Sequence, residues 1–249
     1  MKLARHYVEK PWGRTGLPAA FDAPAGKQIG EVWFDGGPDL PLLAKYIFTS
    51  ERLSIQVHPN DEQARARGLA QGKSECWYIL DAEPGATLGL GLKRAVSKDE
   101  LRAAALVGSI EGMMNRRLVK AGDFVYVPSG TIHAIGAGIS LLEFQQNSDV
   151  TYRLYDYGRP RELHLDDGLD VATAGPFAGA IQHPTENGTL VEGPHFTLAM
   201  AREDALQNRQ RWIMPLGVAH QGDCFLLEPG EHFEANGERL LIGTAATLS

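Results

Sequence analysis

The chain has 249 residues, 43% of them apolar, a formal net charge of −7 and a sequence pI near 5.6. That length holds one large or two small domains, and the acidic balance excludes the basic face of a nucleic-acid binder. Two cysteines are too few for a disulfide framework, no stretch approaches the roughly 18 apolar residues of a membrane helix, and the opening MKLARH lacks a signal peptide's apolar core; a soluble cytoplasmic protein is expected.

Glycine (28) and proline (14) punctuate short alternating apolar runs, the rhythm of a sandwich or barrel of many short strands. In chain order, strands are expected at residues 29–34, 53–57, 76–80, 124–127, 140–144 and 196–201. Two helices interrupt them. Asn60 can cap one over residues 61–69, and Ser97 with Glu100 reads as a capping box ahead of residues 101–107. A faint repeat relates residues 121–133 to 221–232: each reads glycine, strand, proline turn, histidine. The expected fold class is therefore all-β with a few short helices, arranged as two tandem barrels. Residues 1–172 would form one domain and 173–249 a smaller β domain, with the seam near Gly175.

Two segments carry the chemistry. In SIQVHPN (54–60), strand alternation puts Gln56 and His58 on one face, where both can grip one ion. In GDFVYVPSGTIH (122–133), a glycine turn, an apolar strand and a Pro-x-Gly turn deliver His133 onto the next strand. A divalent ion needs three or four donors converging from different strands. The best fourth is Glu75 in GKSECWY (72–78), where alternation puts Glu75 and Trp77 on one face and Cys76 and Tyr78 on the other. Cys76 then reads as a buried structural thiol. An N/O donor set without sulfur suits zinc, with manganese, cobalt and ferrous iron as alternatives. Each signal is weak alone, since a single histidine on an apolar strand is more often a core residue. Their co-occurrence points to a metal.

The spacing Gly-x5-Pro-x-Gly-x2-His resembles the second metal motif of cupins, which are double-stranded β-helices or jelly rolls. The longer blocks resemble the type I mannose-6-phosphate isomerases (phosphomannose isomerases), in their short bacterial form. They are KPWG (10–13), IGEVW (29–33), PLLAK (41–45), LSIQVHPND (53–61), GKSECWY (72–78), FVYVPSGTIHAIG (124–136), EFQQNSDVTYRLYD (143–156) and RELHL (161–165). The resemblance implies one zinc ion per chain on Gln56, His58, Glu75 and His133. It also implies a catalytic Arg153, with Lys45, Ser54 and Lys73 around the pocket. The match covers residues 10 to about 172, and the helical insert of the longer enzymes is missing.

The implied reaction interconverts mannose 6-phosphate and fructose 6-phosphate through a cis-enediol. Charge developing on the enediolate calls for a fixed cation, for which Arg153 is the candidate. A base must move the proton between C2 and C1; Glu143 is preferred to Asp149, and either could instead orient Arg153 or a ligand histidine. Lys45, Lys73 and Arg159 are the cations offered for the phosphate. Trp12 and Trp77 would wall the pocket or serve as plain core. The expected partner is a small sugar phosphate, with no nucleic acid and no membrane, and the sequence carries no signal for an oligomeric state. Two other readings are a cupin that binds a sugar phosphate without turnover and a ferrous oxygenase. The first is disfavoured because the four donors and Arg153 are all present. The second is disfavoured because such oxygenases usually use several histidines.

Overall fold

A computed structural model describes residues 1–204 and 206–246. The chain opens with β1 (His6–Arg14), β2 (Ile29–Phe34) and β3 (Leu42–Phe48), antiparallel neighbours in that order. Next come β4 (Ile55–Val57), α1 (Asp61–Arg65), β5 (Glu75–Ala82) and β6 (Thr87–Leu92). Helices α2 (Lys98–Val107) and α3 (Ile110–Met113) lead into β7 (Met114–Leu118), β8 (Phe124–Val127), β9 (His133–Ile135), β10 (Ile139–Gln146) and β11 (Tyr152–Tyr155). Helix α4 (Leu165–Val171) precedes β12 (Gly188–Glu192), β13 (Phe196–Ala201), β14 (Arg211–Pro215), β15 (Phe225–Leu227) and β16 (Leu240–Ala245).

Strands up to β11 form two antiparallel sheets, ordered β1-β2-β3-β10-β5-β8 and β11-β4-β9-β6-β7. From β3 to β11 the chain crosses between them at every connection except that from β6 through α2 and α3 to β7. This is the winding of a double-stranded β-helix, and it brings residues distant in sequence into one interior. Inner faces carry Ile47, Trp77, Ile79, Leu90, Val125, Ile135 and Leu141, which form one buried cluster. On β5 the expected alternation holds: Trp77 and Ile79 face this interior, while Cys76 and Tyr78 join a different cluster on the outer side.

That outer cluster is shared with the last five strands. Where the sequence suggests a second barrel, residues 188–245 form a single five-stranded sheet, β12-β13-β16-β14-β15. Its apolar face supplies Phe196, Leu198, Met200, Trp212 and Leu241, packed with Val32, Tyr46, Phe48 and Phe144 of the six-stranded sheet. The Phe144 ring meets Phe196 and Trp212 edge-on at centroid distances of 5.4 and 6.0 Å. Gly243 on β16 makes room for it, because a Cβ there would lie 2.2 Å from the ring. A six-stranded sheet that is apolar on both faces needs a cover on each, and this sheet covers the outer one.

The internal repeat is half-formed. Gly130 and Gly230 both take left-handed backbone (φ +82° and +87°) after a short strand, but no strand follows at His232. His232 is instead an exposed side chain beside Gln207 and Glu234. The two expected helices are present. Asn60 and Gln63 form a reciprocal capping box on α1 (2.8 and 3.0 Å), which ends at Arg65 rather than residue 69. Ser97 Oγ accepts from Glu100 N at 3.1 Å and starts α2 three residues earlier than expected. Helix α4 is an addition to the sequence reading.

Candidate metal centre and active site

The site is built from two rows of side chains that face each other across the barrel. In the five-stranded sheet, Gln56 on β4 stands opposite His133 on β9 and opposite Arg153 on β11. Directly opposed residues on neighbouring strands share a face, so these three side chains line up. In the six-stranded sheet the corresponding row is Trp33, Lys45, Glu143 and Trp77. Glu75 lies two residues before Trp77 on the same face, and His58 follows β4 directly.

His58, Glu75 and His133 form a group that could hold a metal ion, their ligand atoms all within 4.8 Å of one another. All three are buried, between 1 and 2% exposed. His133 Nε2 lies 3.2 Å from Glu75 Oε1, and His58 Nε2 lies 3.6 Å from Glu75 Oε2. The far side of each ring faces a backbone carbonyl: His58 Nδ1 is 2.7 Å from Val150 O and His133 Nδ1 is 2.9 Å from Thr131 O. A carbonyl only accepts, so Nδ1 carries the proton and Nε2 presents its lone pair inward. Burial, seconded by the charge of Lys73, pushes the His58 imidazolium pKa down to about 3, so that ring is neutral. Burial also lowers His133.

Glu75 shows what the arrangement lacks. Neither of its buried oxygens accepts a hydrogen bond of good geometry, although the Lys73 ammonium stands 2.7 Å from Oε2. Burial favours the neutral acid, but Lys73, His58 and His133 together outweigh it and hold the carboxyl well below its usual range. A buried carboxylate with two unbonded oxygens between two imidazole lone pairs fits a divalent cation. Gln56 adjoins the group, with Nε2 3.3 Å from His133 Nε2 and Oε1 accepting from Ser54 Oγ at 3.0 Å.

Beside the triad opens a cavity of about 230 Å³, lined among others by Trp12, Lys45, Ser54, Gln56, Lys73, Glu143, Asp149 and Arg153. Of the residues singled out from sequence, eight therefore meet in one space. Glu143 is buried; its Oε2 accepts from Trp77 Nε1 at 2.9 Å, and its Oε1 faces Lys45 and Lys73 at 3.6 Å each. Burial raises its pKa more than the two lysines lower it. Asp149 sits exposed at the rim. Arg153 donates Nη1 to Glu162 O at 2.7 Å, and its buried Nε–H has no acceptor. Trp77 is fully buried and lies edge-on to His133 at 5.4 Å, behind the ligands rather than on the cavity wall.

Arg159 is a correction. It lines a different depression with Glu51, Arg52 and Arg116, where its guanidinium is held by the Arg52 carbonyl and the ring of Tyr157. Lys10, Glu31, Trp33 and Arg161 line the cavity in its place, all of them outside the sequence candidates. Each lies in a block carrying the family resemblance, which was the available signal. Nothing in strand periodicity alone could separate Arg161 from Arg159.

The comparisons with known proteins bear on this geometry. No protein-family model matches the chain. The mannose-6-phosphate isomerase of Streptococcus mutans is 44% identical over 212 residues, covering 77% of this chain and 67% of the relative. A second relative, from Bacillus subtilis, is 43% identical over 237 residues, covering 85% of this chain and 74% of its own. The chain belongs to the mannose-6-phosphate isomerase family. A crystal structure of the Bacillus subtilis mannose 6-phosphate isomerase superposes with a TM-score of 0.68 at 29% identity, covering 98% of this chain and 96% of that one. Phosphomannose isomerase from Salmonella typhimurium, at 14% identity and a TM-score of 0.61, shares the fold.

Proposed function

We propose that the chain interconverts mannose 6-phosphate and fructose 6-phosphate through a cis-enediol, in the cavity beside His58, Glu75 and His133. The observation that carries this reading is a buried donor set adjoining a cavity that a raised carboxyl (Glu143) and a guanidinium (Arg153) both line. Family membership supplies the substrate.

His58, Glu75, His133 and Gln56 would hold the metal, and a set of imidazoles, carboxylate and carboxamide without thiolate suits zinc. When bound, such an ion polarises a carbonyl or hydroxyl oxygen of the open-chain sugar and acidifies the C2–H. Glu143 is our choice for the base that takes the proton from C2 and returns it at C1. It is buried, anchored through one oxygen by Trp77, and poised by burial toward the proton affinity a carrier needs. Asp149 has only an exposed rim position to offer.

Arg153 would hold the developing enediolate charge. Its guanidinium stays charged throughout and is aimed by the Glu162 carbonyl. Lys73 and Lys45 flank Glu143 and offset its charge on the side where an anionic intermediate must sit. Trp12 closes the apolar side of the cavity.

The test is a coupled assay for fructose 6-phosphate formed from mannose 6-phosphate, run on protein as purified, after chelation, and after zinc is restored. Activity lost on chelation and recovered with zinc is expected. No turnover with zinc bound would favour a binding protein over an enzyme.

A further inference from the structure

The cavity holds more positive charge than the chemistry at C1 and C2 needs, and its distribution is uneven. Lys45 and Lys73 are each shared with Glu143, and Lys73 also with Glu75. Lys10 lies 3.2 Å from Glu31. At the other side stand Arg153 and Arg161, close enough that the charge of Arg161 helps depress the pKa of Arg153 after burial has begun it.

Asp156, 2% exposed, is the buried carboxylate serving this group. It accepts from Arg161 Nε at 2.6 Å and Nη2 at 2.7 Å, and Arg159 Nη1 stands 3.5 Å away. This bidentate clasp fixes the plane of the Arg161 guanidinium. It leaves Nη1 without a protein partner among the described residues, and Arg161 lines the cavity.

The backbone places this group at the correct end. The row His133, Gln56, Arg153 runs outward to β11, the edge strand of its sheet. Outside β11 the segment 161–164 docks on it: His164 N donates to Arg153 O at 2.8 Å and Arg153 N donates to His164 Nδ1 at 3.2 Å. Arg161 thus approaches from one strand-width further from the metal donors than Arg153 does. In a hexose 6-phosphate the phosphate lies at the far end of the carbon chain from C1 and C2. A dianion there requires a charged donor set beyond the enediolate group, and a planar guanidinium suits phosphate oxygens.

We propose that Arg161, held in place by Asp156, is the residue that binds the substrate's phosphate, with Arg153 between it and the metal. The identity of the substrate rests on the isomerase reading above; the anion site itself does not.

The experiment measures kcat and KM for mannose 6-phosphate, and inhibition by inorganic phosphate, for the metal-loaded wild type and Arg161→Gln. Loss of a charge-assisted contact is expected to raise KM and the inhibition constant of phosphate together, on the order of 10- to 100-fold, with a far smaller change in kcat. Arg161→Lys, which keeps the charge but not the clasp, should fall between. An unchanged phosphate inhibition constant in folded Arg161→Gln overturns the assignment, and so does a fall in kcat with KM unmoved. Should Arg161→Gln not fold, Arg161→Lys decides: phosphate inhibition as strong as wild type overturns it. Were the wild type inactive on mannose 6-phosphate, calorimetry with inorganic phosphate would still decide. Binding by the wild type that Arg161→Gln loses upholds the anion site while the isomerase reading fails, and equal or absent binding in both overturns it.

Discussion

Gln146, at the end of β10, donates Nε2 to Asp61 Oδ1 at 2.9 Å, across the barrel mouth at the first residue of α1. The same Asp61 oxygen accepts from Gly72 N at 2.9 Å, and Gln146 Oε1 accepts from Ser74 N at 2.9 Å. The loop that delivers Lys73 and Glu75 is therefore pinned at two backbone amides by one pair, a buried Gln146 and a half-buried Asp61. Gln146→Ala should weaken metal affinity or turnover by about 10- to 100-fold, as is usual when the groups that orient metal ligands are removed. Competition with a graded chelator reads the affinity directly; wild-type affinity and turnover together would show that the pair does not orient the ligand loop.

Arg153→Ala should lower kcat by about 10²- to 10³-fold while moving KM far less, because its proposed contact strengthens as charge develops. Steady-state kinetics at saturating metal separates the two parameters. A rise in KM alone would assign Arg153 to ground-state binding.

His133→Ala removes one of the two imidazole donors and leaves Glu75 with Lys73 and His58 as its neighbours. Metal content measured by atomic absorption should fall together with activity. Full occupancy in that variant would mean that His133 is a packing residue beside Trp77.

A stability prediction comes from the C-terminal sheet. Burial pushes the Asp204 carboxyl up, but hydrogen bonds from Arg211 and from Phe233 N, with the Arg211 charge, hold it below its usual range. A depressed folded-state pKa contributes stability that is present above the unfolded value, near 3.9, and is lost as pH falls through the folded value. Asp204→Asn should therefore cost about 3 to 5 kcal/mol near neutral pH, leaving Arg211 buried and unpaired. The gap from wild type should narrow in acid. Urea midpoints at pH 7 and pH 3 check both statements.

That His58, Glu75 and His133 come together was legible in the sequence, for a simple reason. Gln56, His58, Glu75 and His133 are chemically odd residues in apolar strands, and period-2 alternation says which way each points. The fold class was legible from the same alternation and from the glycine and proline punctuation. What escaped was whatever depends on how elements dock. Alternation cannot show that Arg159 turns away while Arg161 turns in, since both lie in a loop with no period. Nor does it show that the strands beyond residue 172 form one covering sheet in place of a second barrel. The strands there need only an apolar face for Phe144 and Tyr46, a demand that many sequences meet and no short motif records.

The crossing of the chain between the two sheets also governs how the protein comes to be active. Gln56 and His133 meet across 77 residues of sequence, so the donor set does not exist until both sheets have closed. Such non-local pairing is slow to form, and without an ion the barrel must close around a buried carboxylate whose charged neighbour is Lys73. An ion that binds the finished site and not the open chain then acts as a latch. At concentrations a hundredfold above its dissociation constant it adds about 2.7 kcal/mol to the folded state. Metal supply would thus set the lifetime of the fold as well as its turnover.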